Sequence, residues 1–329
     1  MSSEVIQADR LQAFRGDFAR LCDEIGRVVV GQRAAIEGAA LTMLAGGHVL
    51  VEGPPGVGKT LLARTLADAT ELTFRRIQFT PDLMGSDVIG TYVVMESAGR
   101  RKFEFQQGPL FANVVLADEI NRATPKTQSA LLEALQEFAV TVANETYELP
   151  QPFFAIATQG PDDGDGTFPL PEKQLDRFMA RIAMQRPATA ELESVIDRVT
   201  GESEPAARPV LTATRVVEMT QLVRQVGLDP QARKYAVRLV AATDPQDATA
   251  PALVKRYVRQ GASPRAALAL VLLAKAHAAA AGRERATADD VRSQAAAALT
   301  HRMTLNFEGH ADRVAAENIV GELVDRIAP

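Results

Sequence analysis

Apolar residues at Val5, Leu11, Phe14, Phe18, Leu21 and Ile25 keep to one helical face, which predicts an amphipathic helix over about residues 4–26. The run Val28-Val29-Val30 stops at Gly31-Gln32, and a second helix is expected over about 33–44. The period then shortens. Apolar, partly β-branched runs at 48–51, 74–79, 114–117 and 153–158 read as strands, with helical spacing at 61–69 and again after Thr124-Pro125. In that second helix Thr124 is the expected cap and Pro125 the first helical residue, with Leu131, Leu132, Leu135 and Phe138 on the buried side. Between 70 and 113 the pattern predicts further strands at 88–95 and 102–105 and one short helix within 82–89; 140–142 and 147–149 read as a hairpin around 143–146. Beyond about residue 186 the chain turns to alanine-rich helical segments with little strand signal. An α/β domain over 1–186 and an α-helical domain over 187–329 are therefore expected. The most apolar stretch, 266–281, contains Lys275 and His277 and is too short to span a bilayer, so it reads as a buried helix. Thr287 and Asp290 have the spacing of a capping box.

The sequence HVLVEGPPGVGKT, from His48 to Thr60, sets the pattern G-x-x-x-x-G-K-[ST] between a predicted strand and a predicted helix. Glycines let backbone N–H groups turn toward phosphate oxygens, and the N-terminus of the following helix completes an anion site. Gly53, Pro54, Pro55, Gly56, Val57, Gly58, Lys59, Thr60 and Leu61 thus form the candidate nucleotide-binding set. Lys59 would reach the β and γ phosphates of ATP and the Thr60 hydroxyl would hold Mg2+.

A continuous apolar run, Val114 to Ala117, fits a central parallel strand buried on both faces, and Asp118-Glu119 follow at its C-terminal end, where open α/β sheets place ligands. Asp118 beside Mg2+ and Glu119 polarising the attacking water divide the two tasks of phosphoryl transfer to water. An Asp-Glu pair alone is often only a strand end. Its place some sixty residues after the phosphate loop is what makes it a candidate site.

Charge narrows the partners. The 329 residues carry a net charge of −5, which argues against a nucleic-acid coat protein, and a hydrophobic content of 47% suffices for a buried core. The single cysteine, Cys22, permits no internal disulfide, and the histidines at 48, 277, 301 and 310 lack metal-ligand spacing; a reducing cytoplasm fits. The first residues show no signal-peptide pattern, and no membrane span is expected. The basic turn at 99–102 reads as a solvated hairpin tip, and the acidic, glycine-rich stretch 159–166 fails the calcium-loop pattern and reads as a surface loop. Ser263-Pro264-Arg265 opens a helix with a cation in its first turn, against the macrodipole, so an anion is expected nearby: a carboxylate or a nucleotide phosphate.

The strings GPPGVGKT, FTPDLMGSDVIGTY, GPLFANVVLADEINRATPKTQSALLEALQE, ATQGP, GTFPLPEKQLDRF and GASPRAALAL, in that order from about residue 28 to 305, resemble the MoxR family of AAA+ ATPases. The resemblance implies a doubly wound α/β nucleotide-binding domain followed by a helical lid. It also implies a ring, commonly a hexamer, and ATP (or ADP) with Mg2+ in each subunit. By the same resemblance Gly31 and Gln32 line the adenine pocket. Arg177, in LDRF, is the arginine finger that reaches the adjacent subunit's γ-phosphate, and Arg265 is the second sensor, contacting phosphate within its own subunit. The insert near 82–108 and the hairpin 138–149 face a pore or partner. The client is a protein, with von Willebrand factor A domain proteins as leading candidates. Where the family usually reads ATQNP this chain has ATQGP, and Gly160 cannot supply the asparagine amide that helps orient the attacking water. Gln159 is the candidate substitute. Slow hydrolysis is expected, with Gly160→Asn raising it. Two other classes share the phosphate loop: a nucleic-acid motor, which salt and single-stranded polymer would reveal, and a monomeric small-molecule kinase, which leaves Arg177 and the helical domain without a task.

Overall fold

The computed structural model describes residues 3–97, 100–160, 167–200 and 205–329; the acidic stretch 161–166 and part of the basic turn at 99–102 lie outside them. The chain enters through α1 (Ser3–Val28) and α2 (Arg33–Leu44), then β1 (Val49–Glu52), α3 (Lys59–Ala69) and β2 (Phe74–Gln78). A short helix, α4 (Gly85–Ile89), leads into an antiparallel hairpin of β3 (Gly90–Ser97) and β4 (Arg100–Gln107). Then follow β5 (Val114–Asp118), α5 (Pro125–Glu137), a second hairpin of β6 (Ala139–Val142) and β7 (Glu145–Glu148), β8 (Phe154–Thr158), the one-turn α6 (Glu172–Leu175) and β9 (Ala180–Ala183).

Five of these strands form one parallel sheet in the order β2-β5-β8-β1-β9. Its residues alternate between two cores because successive strand side chains point to opposite faces. Val49, Val51, Val114, Leu116, Phe154 and Ile156 pack with α1–α3 and most of the C-terminal helices, whereas Leu50, Val115, Ala117, Ala155 and Ala157 pack with the α4 and α5 side. The central strands β5 and β8, and β1 over Val49–Val51, are buried on both faces, as their unbroken apolar runs require, while the edge strand β2 is largely exposed.

The C-terminal part begins with α7 (Thr189–Val199) and α8 (Ala213–Gln225), then β10 (Gly227–Leu228), α9 (Pro230–Ala241), α10 (Ala252–Tyr257) and β11 (Val258–Gln260). It ends with α11 (Pro264–Ala280), β12 (Arg285–Ala286), α12 (Ala288–Leu299), β13 (Thr304–Leu305), α13 (Phe307–Ala311) and α14 (Ala316–Arg326). Helix α11 is the axis of this part and also packs against α1 and α2. At α12, Asp290 accepts from the Thr287 N–H at 2.8 Å, and Arg283 and His277 (2.6 Å) close around the same carboxylate, so the predicted capping box is embedded in a larger cluster. Among the described residues no helix is long and apolar enough to cross a membrane.

Three local expectations change. Phe138 does not complete the buried side of α5; it ends the helix in the left-handed region (φ 53°) and is 36% exposed, with its ring against His48. Thr124 has the backbone of a cap, but its hydroxyl meets Thr127 Oγ1 at 3.3 Å instead of a backbone N–H. The pairs β10–β12 and β11–β13 are two or three residues per strand, too short to leave an alternation in the sequence.

The two hairpins touch. The Tyr92 and Tyr147 hydroxyls lie 2.7 Å apart and share the Glu145 carboxylate, while the Phe105 ring stacks on Tyr147 with centroids 4.3 Å apart.

Candidate active site

The phosphate loop leaves β1 at its C-terminal end and returns into α3. Gly53 sits at φ 153°, and a Cβ there would lie 2.4 Å from the carbonyl oxygen of Met184, just past β9, so the position requires glycine. Gly58, at φ 96°, directly precedes α3 and its carbonyl accepts from Leu62 N–H at 2.8 Å. The Lys59 ammonium donates to the carbonyl oxygens of Gly53 (2.7 Å) and Pro54 (3.0 Å), folding the side chain over the loop it would share with a phosphate. Beside the loop opens a cavity of about 690 Å³, walled by Val28, Val29, Pro55, Leu61, Leu192 and Arg198. That volume suits a nucleotide-sized ligand. The valine run before Gly31 thus supplies the apolar wall, while Gly31 and Gln32 line a neighbouring hollow, and the Gln32 amide donates to the Gln185 carbonyl at 2.6 Å. Sequence reasoning missed the valines and α7 as cavity walls, because only the end of β9 brings α7 over the loop.

Strand order explains how distant motifs meet: β8 lies between β1 and β5. The Thr158 hydroxyl, at the end of β8, donates to Asp118 Oδ1 at 2.6 Å and accepts from the Glu119 N–H at 2.8 Å. Asp118 is nearly buried, and its other oxygen accepts from Arg76 Nε (2.9 Å) and Nη2 (2.7 Å). Glu119 sits in the left-handed region (φ 56°), turning the chain from β5 into a 3-10 turn over Ile120–Arg122. Its Oε2 accepts from Gln78 Nε2 at 3.3 Å and forms an ion pair with Arg122 Nε at 3.0 Å. Half-buried Gln159 follows Thr158. The backbone of Gly160 is tied to Asn121, whose Oδ1 accepts from its N–H (2.8 Å) and whose Nδ2 donates to its carbonyl (3.2 Å).

Arg177 and Arg265 lie elsewhere. They share a cavity of about 280 Å³ with Gly46, Gly47 and His48, at the start of β1, whereas the phosphate loop is at its end. Arg177 donates to the Leu132 carbonyl, and Arg265 faces Asp176 at 3.7 Å. Asp176 also accepts from Ser263 Oγ (2.8 Å) and buried Arg302 (2.9 Å). The anion near the α11 N-terminus is therefore a carboxylate. Arg265, expected to contact phosphate in its own subunit, stands with Arg177 and Asp176 at the start of β1, away from the phosphate loop at the strand's other end.

The pattern of known relatives agrees with this architecture. Residues 48–180 match the ATPase family associated with various cellular activities (AAA), and residues 250–323 match the AAA lid domain. The chain is 37% identical over 321 residues to Chaperone MoxR1 of Mycobacterium tuberculosis, covering 98% of this chain and 84% of that one. It is 31% identical over 314 residues to Protein MoxR of Methylorubrum extorquens, covering 90% of each. The crystal structure of a candidate ATPase from Cytophaga hutchinsonii superposes with a TM-score of 0.91 at 37% identity, over 99% of both chains. With a parallel sheet carrying the phosphate loop, a helical lid behind it and this likeness running nearly end to end, the chain belongs to the MoxR family of AAA+ ATPases.

Proposed function

We infer that the chain binds ATP with Mg2+ and hydrolyses it to remodel or activate a protein client in the cytoplasm, working as a ring, with six subunits as the leading arrangement. The observation that carries this reading is the convergence, through Thr158, of Asp118 and Glu119 beside the phosphate loop. Thr60 and Asp118 are hard oxygen donors of the kind Mg2+ takes, and the Arg76 guanidinium on Asp118 indicates a carboxylate suited to a cation. Mg2+ bound there would offset charge on the β and γ phosphates. Lys59 would leave the loop carbonyls for phosphate oxygens, and Glu119 would accept the proton of the attacking water, whose oxygen bonds phosphorus as the bond to ADP breaks.

Arg177 and Arg265 are assigned to the neighbouring subunit's nucleotide. Their position at the start of β1, away from their own phosphate loop, with the Arg265 side chain half exposed, supports contact with a second chain. The client is read as a protein engaged by the two linked hairpins, with a von Willebrand factor A domain as the leading candidate. Val94, Met95 and Phe103 are exposed on the first hairpin. Turnover per chain measured with Mg2+ across a wide protein concentration tests the reading. A rise that saturates with ring formation is expected; turnover by a species that sizes as a monomer overturns it.

A further inference from the structure

Position 160 is held beside the Glu119 carboxylate by its two backbone bonds to Asn121, yet it contributes no side chain. A Cβ built there would stand 3.8 Å from both Glu119 Cδ and Arg122 Nε and 3.6 Å from Asn121 Oδ1. These are ordinary contact distances, so a Cβ fits there and none is present. Arg122 meets Glu119 at that spot. The left-handed turn at Glu119 is closed by the Arg122 N–H on the Glu119 carbonyl (2.9 Å), which throws the side chains at i and i+3 to one side. Arg122 Nε then lies 3.0 Å from Glu119 Oε2.

The geometry points to Arg122 as the positioning residue for Glu119 in this chain, fixing the carboxylate at a spot where position 160 offers no side chain. With Oε2 held by Arg122 and Gln78, Oε1 is the oxygen presented to water. The inference rests on the hydrolytic reading above. Arg122 touches neither nucleotide nor water in it and acts through Glu119 alone.

The test is steady-state ATP turnover, with binding of a fluorescent ATP analogue, in the full chain, Arg122→Ala, Arg122→Lys, Gly160→Asn and the Arg122→Ala/Gly160→Asn double variant. Arg122→Ala is expected to lower kcat about tenfold or more, as loss of an orienting partner does, with KM and analogue affinity changed less than about twofold. Arg122→Lys should keep part of the rate. Gly160→Asn, expected from the sequence to raise turnover in the parent, should raise kcat by a clearly larger factor in the Arg122→Ala background. An unchanged kcat in Arg122→Ala overturns the assignment. So does a loss of kcat and affinity together that Gly160→Asn fails to repair, which is the mark of a loosened fold. A parent chain that binds the analogue but shows no turnover would remove the hydrolytic reading and this assignment with it, and is distinguished because it precedes any comparison of variants.

Discussion

Arg76 donates two hydrogen bonds to Oδ2 of Asp118, so the carboxylate assigned to Mg2+ already faces a fixed cation. Arg76 is about half exposed, and such a pair is worth up to about 1 kcal/mol, or about fivefold in an equilibrium constant. Arg76→Gln should therefore lower the Mg2+ concentration for half-maximal turnover by up to that factor. A magnesium titration of the two proteins checks it; a higher requirement in the variant would mean that Arg76 supports the metal site.

Lys59→Ala removes the ammonium folded over the phosphate loop. A charged hydrogen bond to phosphate is worth about 2 kcal/mol, so nucleotide affinity should fall about tenfold or more. Glu119→Gln keeps the loop intact and should bind ATP normally while turnover drops by about 10²-fold or more. Equilibrium binding and phosphate release on the two variants separate the roles.

Assignment of Arg177 and Arg265 to a neighbour's site predicts complementation. Arg177→Ala and Glu119→Gln chains should each be inactive alone. Mixed one to one, about a quarter of the interfaces would pair an intact Arg177 with an intact Glu119, if the contact is head to tail, and activity should return in proportion. Arg265→Ala should behave like Arg177→Ala in the same mixture. No recovery on mixing would place both arginines in service of their own subunit.

His48 gives the fold a pH dependence. Its Nδ1 accepts from the Ala155 N–H at 3.1 Å, so Nε2 carries the proton donated to the Leu135 carbonyl at 2.9 Å. Burial in this neutral form lowers its pKa from 6.5 to about 4. The unfolded chain thus takes up a proton below pH 6.5 that the folded chain refuses. Stability is full above pH 6.5 and falls as pH drops toward 4, by about 3 kcal/mol in all. Buried His301, also held well below its ordinary value by desolvation, adds loss of the same sign. Denaturant titrations at pH 7.5 and 5 should show this loss, and His48→Asn should show less of it.

The sheet and phosphate loop were legible because their signals are local: apolar runs such as Val114 to Ala117, and a glycine whose missing Cβ is demanded by the nearby Met184 carbonyl. Asp118 and Glu119 were legible from their place at a strand end. The surroundings of Arg265 were not. Sequence predicts its helix and an anion nearby, but that Asp176, at the end of α6, meets Ser263 and Arg265 at the start of α11 is a matter of long-range packing. Phe138 misled for a related reason, since helical spacing cannot report that its residue has already turned left-handed to start the next hairpin.

The stack of Phe105 on Tyr147, with the two tyrosine hydroxyls sharing Glu145, makes the paired hairpins a lever with one fulcrum. The short arm runs from β7 into β8, whose last residue holds both Asp118 and Glu119. A load on the exposed face of the first hairpin at Phe103 therefore has a route through the aromatic stack to the end of β8, and a shift there has the same route back.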